Sequence, residues 1–213
     1  MQLQNMDAPI ISVITVCYNV ASTIEKTMLS VLNQTYKNLE YIIIDGNSTD
    51  GTVDIIKKYA ERLTFWISEP DKGIYDAMNK GIVKATGKFL IFMNAGDQFL
   101  NEKVLSKCLP YFLQEIDVIS GIGYLSGQKW IPAKATDLSV AFFLKRSLNH
   151  QATFINRKLF QDNLYRTDLK IVGDSVFFFQ ALIMDNASYV DIPIEIALCE
   201  KPGLSGQEKK AFA

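Results

Sequence analysis

The chain has 213 residues, 22 basic and 23 acidic, a net charge of −1 and 48% apolar residues. That length suits one large domain with a sizeable core, and the balanced charge excludes the basic stripe of a nucleic-acid binder, so no nucleic-acid partner is expected. Three scattered cysteines, Cys17, Cys108 and Cys199, form no Cys-x-x-Cys or Cys/His cluster, which speaks for reduced core thiols and against structural zinc.

Residues 1–8 read as a polar, flexible tail without the apolar core of a signal peptide. No apolar run approaches the ~20 residues that span a bilayer. The expected location is the cytoplasm, with a surface patch as the one route to peripheral contact with the membrane's inner face. Ile10 to Val16 reads as a buried parallel strand. Ser22 with Glu25 forms a capping box ahead of a helix reaching Asn33. Leu39 to Ile44 is the second strand, and Asp50 or a neighbour caps the next helix. Leu63 to Ser68 is the third strand, Ile74 to Ala85 the third helix and Lys88 to Met93 the fourth strand. This β-α-β-α-β-α-β order predicts a doubly wound α/β sheet.

Beyond residue 99 the pattern changes. Glu102 to Phe112 and Leu138 to Leu148 read as helices, and Val118 to Tyr124 with Lys129 to Ile131 as a hairpin around Ser126-Gly127. Gln151 to Ile155 is a strand, Asp174 to Met184 an apolar helix, and Tyr189-Val190 and Ile194 to Leu198 are two short strands. One domain is expected over residues 9–200, with a nucleotide-binding half over 9–99 and an irregular acceptor half over 100–200. Residues 201–213 form a loose tail.

Three times an apolar strand runs into a polar loop carrying an acid: Asp45, Asp71 and Asp97. In an open parallel sheet these loops emerge at one edge, where such sheets bind ligands. The first βα turn, Cys17-Tyr18-Asn19-Val20, has no glycine, so pyrophosphate is not held by a Gly-rich turn. Asp45 and Asp71 are candidates to accept from a base N–H or a ribose hydroxyl, with Tyr18 available for stacking. Each acid equally suits the satisfaction of nearby backbone N–H groups. Asp97, in Asn94-Ala95-Gly96-Asp97, is a candidate ligand for Mn²⁺ or Mg²⁺, which take oxygen ligands, or part of a simple turn. Asp174 opens an apolar helix and is a candidate general base or a plain cap. His150, the only histidine, precedes a strand and is a candidate acceptor or metal contact. Lys72 and Lys80 are candidates for phosphate or are simply solvated.

These pieces together resemble family 2 of inverting glycosyltransferases. The resembling residues are Ile11 to Asn19, Gln34-Thr35-Tyr36, Ile44 to Thr52 with Asp45-Gly46-Asn47-Ser48, and Ser68 to Gly81. Asn94-Ala95-Gly96-Asp97, His150-Gln151-Ala152-Thr153-Phe154 and Gly173-Asp174 complete the set. The resemblance implies the GT-A fold: an α/β, Rossmann-like, mostly parallel sheet flanked by helices. It implies donor contacts at Tyr18, Asn19, Asp45, Asn47, Ser48, Asp71, Lys72, Gly73, Lys80, Asn94 and Ala95. It further implies a divalent cation, Mn²⁺ or Mg²⁺, at Asp97, catalysis by Asp174 as base, and accessory contacts at His150 and Gln151. The implied reaction moves one sugar, with inversion, from a nucleotide-sugar, typically UDP-linked, to a saccharide or lipid-linked acceptor in polysaccharide biosynthesis. The chain departs from the family's Asp-x-Asp-Asp pattern at Asn94 and Gly96, leaving one carboxylate for the metal. The Gln-x-x-Arg-Trp signature of processive synthases is absent, so a single addition is expected. A nucleotide-sugar binder without catalysis is the alternative, and a sugar nucleotidyltransferase fits less well for want of a Gly-rich basic loop.

Overall fold

The computed structural model describes residues 8–199, so the expected tails at 1–8 and 201–213 fall outside it apart from Ala8. A nine-stranded sheet forms its centre, in the order β3-β2-β1-β4-β8-β6-β9-β5, with β7 paired to β6. The first four strands are β1 (Ile11–Cys17), β2 (Leu39–Asp45), β3 (Phe65–Ser68) and β4 (Phe89–Phe92). All pair in parallel, with β1 between β2 and β4. Helices α1 (Ile24–Leu32), α2 (Thr52–Lys58) and α3 (Ile74–Lys84) connect them as the sequence predicts. Because the chain winds from β1 out to β3 and then returns to β4 on the other side of β1, the strand order reverses there. Open sheets of this kind bind ligands at such a reversal, beyond the carboxyl ends of the strands, here β1 and β4.

The strands are apolar on both faces because helices cover both. Ile11, Val13 and Cys17 face one core with Ile24 and Met28 of α1. Ile14 and Val16 face a second core with Met78 and Ile82 of α3. A Cβ on Gly81 would sit 2.5 Å from Ile14 Cγ2, so the bare glycine lets α3 lie close on β1.

The back half adds β5 (Asp97–Phe99), α4 (Val104–Phe112), β6 (Val118–Leu125) and β7 (Gln128–Trp130). It ends with α5 (Val140–Phe143), β8 (Thr153–Asn156), α6 (Gly173–Phe179) and β9 (Tyr189–Cys199). Here the sheet is mixed: β8 is antiparallel to β4 and β6, β5 to β9, while β6 and β9 run parallel. The β6–β7 hairpin forms as expected, with positive φ at Ser126 and Gly127 giving the tight two-residue turn.

Four local expectations need correction. No side-chain cap starts α1; Glu25 instead accepts from Tyr59 Oη at 2.8 Å, so a tertiary partner displaces the capping box. The helix expected over 138–148 shrinks to α5, capped by Ser139. It ends at Phe143, and three residues on the Arg146 guanidinium lies 5.5 Å over Trp130 and 5.3 Å over Phe142. The helix expected over 174–184 is α-helical to Phe179 and closes in a π turn over Gln180–Met184. The two short strands expected over 189–198 are one strand, irregular where it passes Ser120 to Gly123. Pro193, which has no N–H to donate, falls within that irregular stretch. Among the described residues, no helix is long and apolar enough to cross a membrane.

Candidate active site

The loops after β1, β2 and β3 are stitched together at the sheet's carboxyl edge. Asn19 takes a positive φ. Its N–H donates to Ser48 Oγ at 2.8 Å and its Oδ1 accepts from Thr49 N–H at 2.9 Å. Ala21 N–H donates to Asp50 at 2.9 Å, and Asp50 also accepts from Thr52 N–H at 3.0 Å, which starts α2 as expected. Asp45, fully buried at the end of β2, accepts from Ser48 N–H (2.9 Å), Ser48 Oγ (2.5 Å), Ser68 Oγ (2.6 Å) and Cys17 Sγ (3.5 Å). Four protein donors surround this buried charge, as burial requires. The carboxylate therefore holds the loop and does not project into the crevice. Asn47 and Ser48 form the loop's rim, Asn47 exposed at positive φ.

Asp71 takes a different position. Its Oδ1 accepts from Gly73 N–H at 2.8 Å, while a Cβ on Gly46 would lie 2.5 Å from Oδ2 and 3.4 Å from the Tyr18 ring. Asp71, Gly46 and Tyr18 thus meet, and Tyr18 is 63% exposed, its ring face open for stacking. Lys72 is exposed, with its N–H on Asp76 at 3.0 Å. Lys80 is engaged elsewhere: its Nζ donates to Pro70 O and pairs with Glu69, both at 2.8 Å. It lines a cleft of about 310 Å³ between β3 and α3. Lys80 thus stays beside Asp71 and Lys72, its Nζ 3.8 Å from the Asp76 carboxylate that accepts from Lys72 N–H, but its charge is already spent on Glu69.

The second group sits at the end of β4. Asp97 was expected in a loop; it opens β5 opposite Cys199 and is only 8% exposed. Gln151 Nε2 donates to its Oδ2 at 3.1 Å. Burial raises its pKa above the usual carboxylate value, against the opposing pull of Gln151, His150 and Cys199. Asn94 Nδ2 lies 3.2 Å from His150 Nε2, and Asn94 Oδ1 is buried without a hydrogen-bond partner. Ala95 N–H contacts Val16 O at 3.3 Å, which ties this loop to β1.

His150 Nδ1 lies 3.0 Å from Asp174 Oδ2, and Tyr75 Oη lies 2.9 Å from Asp174 Oδ1. Asp174 therefore closes a chain from Asn94 through His150. Burial pushes the Asp174 carboxyl upward, but the bond and charge of His150, with Tyr75 and Ser175 N–H, hold it below its ordinary value. Burial likewise pulls His150 down, and the bond and charge of Asp174, with the charge of Asp97, raise it overall. Nδ1 is the donor to the ionised carboxylate, which leaves Nε2 of a neutral ring to accept from Asn94.

Tyr75 is the member the sequence left unassigned. Its signal was faint: an aromatic with a polar tip at the start of α3, four residues after Asp71. Its single proton faces two acceptors, Asp174 Oδ1 and Ile171 O at 2.8 Å. Among the described residues no group of three or more His, Cys, Asp and Glu forms a metal cage. The hard oxygens on offer are the Asp97 carboxylate and the orphaned Asn94 Oδ1. Such a donor set fits a cation that takes most of its ligands from phosphates and water.

The sequence model described as Glycosyl transferase family 2 matches residues 12–187. A PGL/p-HBAD biosynthesis glycosyltransferase of Mycobacterium bovis (strain BCG / Pasteur 1173P2) is 34% identical over 161 residues, covering 73% of this chain and 62% of that relative. Among solved structures, S. aureus TarS 1-349 in complex with UDP-GlcNAc matches with a TM-score of 0.75 at 20% identity, covering 91% of this chain and 59% of that one. The mannosyltransferase PcManGT from Pyrobaculum calidifontis, in complex with GDP-Man and Mn2+, matches with a TM-score of 0.73 at 20% identity, covering 96% and 61%. The chain thus spans about three fifths of the length of each of these three proteins.

Proposed function

From the premise that the chain belongs to glycosyl transferase family 2, with its GT-A fold, we propose that it transfers one sugar, with inversion, from a nucleotide-sugar to an acceptor hydroxyl. The donor is UDP-linked and the acceptor a saccharide or lipid-linked saccharide of a polysaccharide-type pathway. Support for the donor and pathway comes from relatives whose names carry UDP-GlcNAc and teichuronic acid biosynthesis. The observation that carries the reading is the Tyr75–Asp174–His150 network beside the strand-order reversal.

On the donor side, Tyr18 stacks on the base, and Asp71, against Gly46, accepts from base or ribose. Asp45 keeps the loop of Asn47 and Ser48 in place through Ser48 and Ser68. Asp97 and Asn94 would hold a divalent cation, Mn²⁺ or Mg²⁺, whose charge neutralises the diphosphate and so eases its departure. PcManGT, whose structure contains Mn2+, supports the use of a divalent cation.

Asp174 takes the proton. The acceptor hydroxyl oxygen bonds to the anomeric carbon from the face opposite the diphosphate. The carbon–oxygen bond to the diphosphate breaks, its electron pair leaves with the nucleotide, and the hydroxyl proton passes to the Asp174 carboxylate. A carboxylate held below its ordinary pKa is a weak base. It therefore accepts the proton late, once bonding to carbon has acidified the hydroxyl. His150 Nδ1–H and Tyr75 O–H fix the carboxylate's orientation during that step.

Thermal denaturation with UDP, GDP and Mn²⁺, together with nucleotide release from UDP-sugars, tests the reading. UDP should stabilise the protein more with Mn²⁺ than without, and Asp174→Asn should bind UDP normally while losing turnover. No response to any nucleoside diphosphate, or wild-type turnover in Asp174→Asn, would overturn it. Binding without turnover in the wild type would leave only a nucleotide-sugar binding protein.

A further inference from the structure

One exposed surface beside Asp174 carries both aliphatic and basic side chains, and the active-site chemistry uses none of it. On α5, Val140 is 50% exposed, and Leu144, one turn on, is 82% exposed. Phe143 between them turns inward and packs edge-on against Phe179 of α6, with ring centroids 6.1 Å apart. Val172, the residue just ahead of α6, and Val176 within it are both exposed, one turn apart and flanking Asp174. The exposed aliphatics of the two helices thus belong to one ridge, and the base lies on that ridge's inner side.

The charge on the α5 side of this ridge is one-sided. Lys145 and Arg146 follow Leu144 directly, and neither has an ion pair among the described residues; the Arg146 guanidinium lies over Trp130 and Phe142. Across residues 126–146 the bases Lys129, Lys134, Lys145 and Arg146 face a single acid, Asp137, in a chain whose net charge is −1. Lys129 is tied to Glu195, so the unpaired positive charge concentrates beside Leu144.

We propose that this ridge seats the protein on an anionic lipid bilayer, with Leu144 and Val140 entering the headgroup boundary and Lys145 and Arg146 meeting the lipid phosphates. Exposed aliphatic side chains next to unpaired cations match the chemistry of such a surface, where apolar burial and electrostatic attraction add. The inference rests on the proposed transferase reading in one respect: a ridge flanking Asp174 brings the base to the plane where a lipid-linked acceptor hydroxyl is presented.

Co-sedimentation with vesicles tests it without any nucleotide, so its outcome is separable from that of the donor assay. The wild-type chain should sediment with equimolar phosphatidylglycerol–phosphatidylcholine vesicles, stay in solution with phosphatidylcholine alone, and be released by salt. The double variant Leu144→Ser, Lys145→Gln alters two exposed side chains outside the site. It should partition about tenfold less strongly, roughly the loss of one cation plus one apolar contact, while keeping its UDP-induced thermal shift. Three results would overturn the proposal: no binding of the wild type to the anionic vesicles, equal binding by the variant, or a wild-type dimer in vesicle-free solution that the variant abolishes. The last would assign the ridge to a second copy of the chain.

Discussion

Removing one hydroxyl from α3 tests the acid–base network more sharply than removing the base. Tyr75 is buried, and its ring packs at 5.5 Å against Tyr165. Tyr75→Phe therefore keeps the shape and deletes the one proton that faces both Asp174 Oδ1 and Ile171 O. A hydrogen bond to a charged, buried acceptor is worth about 1.5–3 kcal/mol. At roughly 2–4 °C per kcal/mol for a domain of this size, Tm should fall by about 3–12 °C. Burial and the neighbouring Asp174 both raise the Tyr75 pKa, so the phenol stays protonated and the lost group is a donor at every working pH. Without it, the ionised form of Asp174 is less favoured, and its pKa climbs toward the ordinary carboxylate value. The acid limb of a pH profile for sugar-nucleotide turnover should move to higher pH, while KM for the donor, bound by other residues, stays within about twofold. The pH profile and a melting curve, measured on the same preparation, check both halves. An unmoved acid limb together with an unchanged Tm would refute the assignment of Tyr75 to Asp174.

Three further outcomes follow from the same contacts. Gly46→Ala places a methyl 2.5 Å from Asp71 Oδ2; it should weaken UDP binding about tenfold, some 1.4 kcal/mol, by calorimetry. Wild-type affinity would show that Asp71 is not a donor contact. Lys80→Ala removes the tie to Glu69 and Pro70; it should cost at most about 1 kcal/mol of stability and leave UDP affinity within twofold, so a large affinity loss would return Lys80 to the phosphate site. His150→Gln should show a pH-dependent stability gap. The raised His150 pKa means its protonated form adds stability fully below its unfolded value, about 6.5, and loses it as pH rises through the raised value. Asp174, lowered, adds stability above about 3.9 and loses it as pH falls through the lowered value. The Tm difference between wild type and variant should therefore be widest at roughly pH 4 to 6.5 and narrow in the alkaline range; a gap flat across pH would disprove the ion pair.

The front half was legible in the sequence because each signal there is local. Continuous apolar runs such as Ile11 to Val16 belong to strands buried on both faces, and the helices between them keep a single apolar stripe. Asp45 and Asp71 follow β2 and β3, parallel strands that carry their ends to one side, whereas Asp97 opens β5, antiparallel to β9. What each acid does was not legible. Whether Asp45 projects or is wrapped by Ser48 and Ser68 depends on a residue 23 positions away. Asp97 is buried because β9, about a hundred residues on, pairs with it. Tyr75 and Asp174 are 99 residues apart, beyond the reach of any local pattern. The continuous β9 escaped for the same reason: pairing with β6 carries it past Pro193.

The nine strands run without a seam from Tyr18's side of the molecule to Asp174's. Enzymes built as two lobes grip their substrates by swinging one lobe on the other. Here β8 joins β4 directly to β6, so no such swing is available to the described chain. Within the described residues, enclosure of the reacting sugar would fall to short segments folding over a stationary platform.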